Sequence, residues 1–148
     1  MRATLIPAAL VVALATGCGG GGGDGRLSKA EWVAQADTIC KRVNDRLEDT
    51  EQPETMAELV TVLDQGLKDV DDAVADLREL EPPEEMEEDV DSWLAKVEAA
   101  STQIEKARDA AKAQDEKELS AALEEGTRVN DEGNRQAREL GLTECAEE

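Results

Sequence analysis

Between Met56 and Leu77 the apolar residues recur at alternating steps of four and three: Met56, Val60, Leu63, Leu67, Val70, Val74 and Leu77. On an α-helix this spacing gathers every apolar side chain onto one stripe and leaves the remaining surface polar. Such a helix is stable only with a partner against the stripe. The same spacing returns at Met86, Val90, Trp93, Val97, Ala100, Ile104, Ala107 and Ala111. A chain with two seams of this kind folds as packed helices, and nothing in it reads as strand.

Start and stop signals divide the chain from Leu27 onward into four helices. Ser28 to Glu31 spells a capping box, in which the serine hydroxyl accepts from an early backbone N–H and the glutamate returns the bond. The helix behind it runs to about Asp49, with Trp32, Ala36, Ile39, Cys40, Val43 and Leu47 on its stripe. Pro53 breaks the chain, and Thr55 to Glu58 caps the second helix. Glu81 to Glu85, reading Glu-Pro-Pro-Glu-Glu, ends that helix and opens the third, because proline and acids are both favoured in a first turn. Asp115 to Glu118 caps the fourth, whose seam reads Leu119, Leu123, Gly126, Asn130, Gly133, Ala137 and Leu140. Gly141 stands where a left-handed C-cap is wanted, and Leu142 supplies its apolar contact. Short connections between long helices predict an antiparallel, up-down-up-down four-helix bundle.

The 148 residues include 36 acids against 16 Lys and Arg, a formal charge of -20. A surface that negative repels nucleic acid and anionic lipid headgroups, so no nucleic-acid partner is expected. Histidine, tyrosine and phenylalanine are absent, which removes the usual general base, the commonest zinc ligand and most stacking platforms. With no nucleophile and base in a recognisable pattern, the chain is expected not to be an enzyme and to use no cofactor.

Residues 1–17 read as a targeting segment. Arg2 supplies a positive start, and Ala3 to Ala15 form a charge-free apolar run too short for a bilayer, which needs about 20 residues. Ala15, Thr16 and Gly17 then lead to Cys18 and a run of glycines. This stretch resembles a bacterial lipoprotein signal, in which small residues precede a cysteine that receives a diacylglyceryl thioether and becomes the first residue after cleavage. Ala15 stands where such signals usually carry leucine, with Leu14 one place earlier. The resemblance implies lipid on Cys18 and a chain anchored to the outer face of the plasma membrane. Residues 18–26 then form the acylated cysteine and a glycine-rich tether, Gly19 to Gly25 spanning roughly 15 Å, and residues 27–148 form the extracytoplasmic helical domain.

With Cys18 acylated, two of the three cysteines remain, Cys40 and Cys145. In an oxidising compartment they either pair or stay as two buried thiols. A bond between them meets a geometric difficulty. Cys40 lies roughly 16 Å along the first helix, while the tail beyond Gly141 reaches at most about 14 Å. The bond therefore requires the tail to fold back along the first helix, or the fourth helix to stop near Gly133. Leu27 to Asn44, Leu77 to Met86 and Ala137 to Ala146 resemble small helical lipoproteins of high-GC actinobacteria. That resemblance implies a disulfide from Cys40 to Cys145 and supplies no catalytic residue.

Gly126, Asn130 and Gly133 occupy seam positions where leucine is expected, and each mid-helix glycine costs about 1 kcal/mol against alanine. Two readings explain them: close approach of the fourth helix to a bulky neighbour such as a tryptophan ring, or a ligand groove along that helix. Trp32 and Trp93, the only aromatic residues, fall on the stripes of two helices that run parallel in this topology, so their rings belong at one level. They serve as core, or they frame a small apolar pocket beside Gly126 and Gly133. The carboxylate runs Asp69 to Asp76 and Glu84 to Asp91 lack calcium-loop spacing and read as solvated acidic faces. The expected role is an anchored module that binds a protein or another envelope component. The alternative is a carrier of a small ligand, in the groove, or of a divalent cation, on an acidic face.

Overall fold

The computed structural model describes residues 25–146. They form four helices and two short 3-10 turns, with no strand among the described residues. The first helix, α1, spans Lys29–Glu48. Ser28 and Glu31 close the capping box at its start, with Glu31 N–H to Ser28 Oγ at 3.4 Å and Ser28 N–H to the Glu31 carboxylate at 3.0 Å. The second, α2, spans Met56–Glu79 and starts with the same device between Thr55 and Glu58. Pro83 is followed by a 3-10 turn, Glu84–Met86, before α3 runs over Glu87–Ala113. The last, α4, spans Glu116–Leu140, its first turn capped by Asp115, which accepts from Glu118 N–H at 3.0 Å.

The end of α4 follows from its sequence. Gly141 takes φ +94°, a conformation that costs other residues strain, and the Leu142 N–H returns to the Ala137 carbonyl at 2.9 Å. This turn drives Leu142 into the core, where it is among the most completely buried side chains. Helix α4 therefore runs its full length and does not stop near Gly133.

The helices alternate in direction, and the core lies in two separate clusters. At one end Trp32 and Ala36 of α1, Leu77 of α2, Val90, Trp93 and Leu94 of α3, and Ala137 and Leu140 of α4 pack together. At the other end Ala107, Ala110 and Ala111 of α3 meet Leu119 and Ala122 of α4, with Met56, Leu59, Val60 and Leu63 of α2 against them. Alanine dominates this second cluster, which lets α2, α3 and α4 close without α1. The four-three spacing accounts for α2 and α3: every seam residue from Met56 to Leu77 and from Met86 to Ala111 is buried or half-buried.

Two seams depart from expectation. On α4 the buried residues are Leu119, Ala122, Val129, Gly133, Asn134, Ala137 and Leu140, whereas Leu123 is 47% exposed and Asn130 is exposed. The inward stripe selects Ala122 and Val129, one position before Leu123 and Asn130: the small Ala122 lets α4 lie close to α3, and Val129 is apolar where Asn130 is polar. On α1, Leu47 is 55% exposed. Leu47 stands at the edge of the open space that α1 shares with Val70 of α2 and Ile104 of α3, and is not covered there.

Candidate functional site

Cys18, the lipid attachment expected there, the targeting segment expected over residues 1–17 and the glycines through residue 23 lie outside the described residues. Cys40 and Cys145 form a disulfide, their Cα atoms 5.0 Å apart and 105 positions apart in the chain. The reach problem is solved by the tail folding back along α1. Asp37, on the same face of α1 one turn before Cys40, holds it there. Its carboxylate accepts from the backbone N–H groups of Thr143 and Glu144, each at 3.0 Å, and from the Thr143 hydroxyl at 2.9 Å. Asp37 thus caps the terminal 3-10 turn Glu144–Ala146 as an N-cap residue caps a helix. Asn44 adds a hydrogen bond from its side-chain amide to the Glu144 carbonyl at 2.8 Å, and Arg138 donates to the Ala146 carbonyl at 3.2 Å.

Trp32 and Trp93 meet edge to face, with ring centroids 6.4 Å apart and planes at 85°. They lie at one level of the bundle, as parallel α1 and α3 require, and both are buried. Such a pair adds about 0.5–1.5 kcal/mol beyond the area it buries. The indole N–H of Trp32 is buried without an acceptor among the described residues. The glycines of α4 face α3 and not the rings. A Cβ placed on Gly126 would lie 3.4 Å from the Gln103 Cβ, and one on Gly133 would lie 3.6 Å from the Lys96 Cβ. Both are ordinary contact distances. Alanine would fit, and a leucine would drive the two helices apart.

Between the two core clusters the bundle is open. The C-terminal half of α1, the middle of α2 and the length of α3 from Trp93 to Ile104 bound a groove of about 560 Å³. Its walls are Val43 and Leu47 from α1, Val70, Ala73, Val74 and Leu77 from α2, and Val97, Ala100 and Ile104 from α3. Asn130, Gly133 and Asn134 close the α4 side, and the disulfide with Glu144 closes one end. Of the four residues expected to frame a pocket, Trp93 and Gly133 line this groove, while Trp32 and Gly126 lie elsewhere. Trp32 is covered by the tail, whose Leu142 packs in the same cluster, and Gly126 lies against Gln103 of α3.

Polar groups sit at the groove's edge. Glu48 and Glu144 line it on the side of α1 and the tail, and Lys96 lines it on the side of α3. Lys96 donates to Glu132 at 2.9 Å, and this hydrogen bond, followed by the lysine's charge, holds the Glu132 carboxyl below its ordinary value. Lys41 is bonded to Asp45, and its ammonium is pushed above the ordinary lysine value first by that hydrogen bond, then by the charge of Asp45, with Glu144 and Glu48 adding to it.

The acidic run from Asp69 to Asp76 is not wholly a solvated face. Asp69 is buried and bridges two helices, accepting from Arg46 of α1 and from the Gln65 side chain at 3.1 Å. Asp76 pairs with Arg42 and Asp72 with Lys68. Among the described residues no three side chains of metal-ligating type converge, and no described helix is long and apolar enough to cross a membrane. Asp37 and Asp69 are the two functional carboxylates that sequence reasoning passed over, since each works through a partner on another element. Comparison of the chain with protein-family models, with curated proteins and with solved structures finds no match.

Proposed function

We propose that this chain is a lipid-anchored binding protein on the outer face of a bacterial plasma membrane, tethered through acylated Cys18, and that its helical domain receives the apolar part of an envelope component in the groove. The observation that carries the reading is the groove itself. A volume of about 560 Å³ walled by valine, leucine, isoleucine and alanine has the size and lining of a small-ligand site. Leu47, 55% exposed at its edge, is apolar surface that an occupant would cover. The divalent-cation alternative draws no support from the arrangement of the carboxylates, which are spread along helix faces or engaged by Arg and Lys.

Anchoring is tested by Cys18→Ser. The variant is expected to appear in the medium or to accumulate as an unprocessed precursor, and unchanged processing and membrane retention would end the lipoprotein reading. Binding is tested by thermal denaturation of the full-length chain with a series of uncharged n-alkanols. Ligands that bind only the folded state raise the melting temperature by mass action. Affinity is expected to rise about fourfold for each added methylene until the groove is filled. A melting temperature that ignores chain length would remove the groove from consideration.

A further inference from the structure

We infer that the groove selects a single-chain amphiphile with a positively charged head, the alkyl chain lying among Val43, Leu47, Val70, Val97, Ala100 and Ile104 and the head at the edge formed by Glu48 and Glu144. The inference rests on the groove being a binding site and adds the charge of its ligand. The apolar walls settle the tail: α3 contributes lining from Trp93 to Ile104, roughly 16 Å of helix, which is long enough for one extended chain. The edge settles the head. On the side of α1 and the tail, Glu48 and Glu144 are lining residues with no ion pair among the described residues, and the nearest base, Lys41, is already engaged by Asp45. That edge carries more negative charge than positive.

The opposite edge does not reverse the sign. Among the described residues Lys96 is the only base that lines the groove, and it is bound to Glu132. Glu132 also accepts from Arg128, which is shared in turn with Glu125. An incoming carboxylate would have to displace one of these acids from its base, whereas an incoming ammonium meets Glu48 and Glu144, whose nearby base Lys41 is bonded to Asp45 and not to either of them. The formal charge of -20 on the whole chain adds a field that draws cations toward the domain and repels anions before contact.

Three photoreactive probes with the same alkyl chain and a trimethylammonium, a hydroxyl or a carboxylate head distinguish the possibilities. Each is added to the full-length chain in phosphatidylcholine vesicles, and labelled residues are mapped by mass spectrometry. The ammonium probe is expected to label groove residues about fivefold more than the carboxylate probe, the effect of two solvent-exposed charge pairs. Glu48→Gln with Glu144→Gln should bring it down to the level of the hydroxyl probe. Ala100→Trp should abolish groove labelling by filling the site; Val43→Trp, on the opposite wall, makes the same measurement should the first variant fail to fold. Equal labelling by all three heads would overturn the charge selection and leave the groove reading standing. Preference for the carboxylate would likewise overturn it, in favour of an anionic acyl ligand. Absence of groove labelling by any probe, or labelling that both tryptophan variants leave unchanged, would overturn the groove reading itself.

Discussion

The Asp37 carboxylate and Thr143 meet across 106 positions of chain, one oxygen taking the Thr143 backbone N–H at 3.0 Å and the other its hydroxyl at 2.9 Å. A side chain inside the first helix thereby organises the backbone of the last six residues described. Removing it with Asp37→Ala is expected to lower stability by about 1–2 kcal/mol, the range for a lost N-cap that also leaves donors unmade. Asp37→Asn keeps an acceptor oxygen and should lose less. Urea unfolding at unchanged m-value reads the difference, and amide exchange at Thr143 and Glu144 should quicken in the alanine variant.

The disulfide acts on the same tail by a different route. Cross-linking positions separated by 105 residues restricts the unfolded chain, and the loop-entropy model sets this at about 4 to 5 kcal/mol. Cys40→Ser with Cys145→Ser should therefore lower the melting temperature strongly. Because Asp37 still caps the tail, the far-ultraviolet circular dichroism of the folded protein should stay unchanged. Loss of helical signal before melting would show that the covalent bond, and not the cap, sets the position of the tail.

Arg46 and Asp69 tie α1 to α2 at a buried carboxylate. Arg46→Met removes the charged donor and leaves Asp69 with Gln65, at an expected loss of about 1–3 kcal/mol. Asp69→Asn in the Arg46→Met background should restore part of it, since a neutral amide tolerates burial better than an unpaired carboxylate. Simple additivity of the two substitutions, measured as a double-mutant cycle, would deny the pairing.

Three helix-interior glycines offer a graded test of how tightly the helices pack. A Cβ on Gly66 meets nothing within 4 Å, one on Gly133 meets the Lys96 Cβ at 3.6 Å, and one on Gly126 meets the Gln103 Cβ at 3.4 Å. Gly66→Ala should stabilise by about 0.5–1 kcal/mol through helix propensity alone. Gly133→Ala should gain less, and Gly126→Ala least. Destabilisation at Gly66 would mean that its surface is in contact with something in solution.

Acid should weaken the fold through carboxylates held low by their partners. Glu132 lies below its ordinary value of 4.5 because Lys96 donates to it, and Asp72 lies below 3.8 because Lys68 does. A carboxyl with a depressed value in the folded state contributes stability that is complete above its unfolded value and is lost as pH falls through the folded one. Stability should thus begin to decline as pH drops below about 4.5. In Lys96→Met the decline should be shallower, as read by melting temperature between neutral and acid pH.

The helices of the middle of the chain were legible because apolar residues mark α2 and α3 at every four-three step, and the caps at Ser28, Thr55, Asp115 and Gly141 mark limits of α1, α2 and α4. The seam of α4 was misread at Leu123 and Asn130 because the four-three spacing was carried on from Leu119, whereas the buried face takes Ala122 and Val129, each one position earlier. Asp37 carried no signal: its partners are backbone groups more than a hundred residues away, and a carboxylate on a half-buried helix face looks like any solvated one. Asp69 was hidden for a related reason, inside a run of acids whose other members are at the surface. Of the four residues named for a pocket, Trp93 and Gly133 line the groove. Trp32 is covered by the tail, whose path depends on Asp37, and Gly126 packs on Gln103 of α3; neither contact could be read from spacing.

The Cys40–Cys145 bond also sets how the molecule carries load. A pull from the N-terminal side enters at Leu27, whose N–H is held by the Glu81 carbonyl at 3.0 Å, and runs up α1. At Cys40 it passes through the sulfurs into the tail and on to α4, so α1 cannot be peeled away from the bundle without breaking a covalent bond. The rest of α1, with Val43 and Leu47, then lies beyond the point where tension leaves the helix. One wall of the groove is in this way shielded from a pull on the N-terminal side.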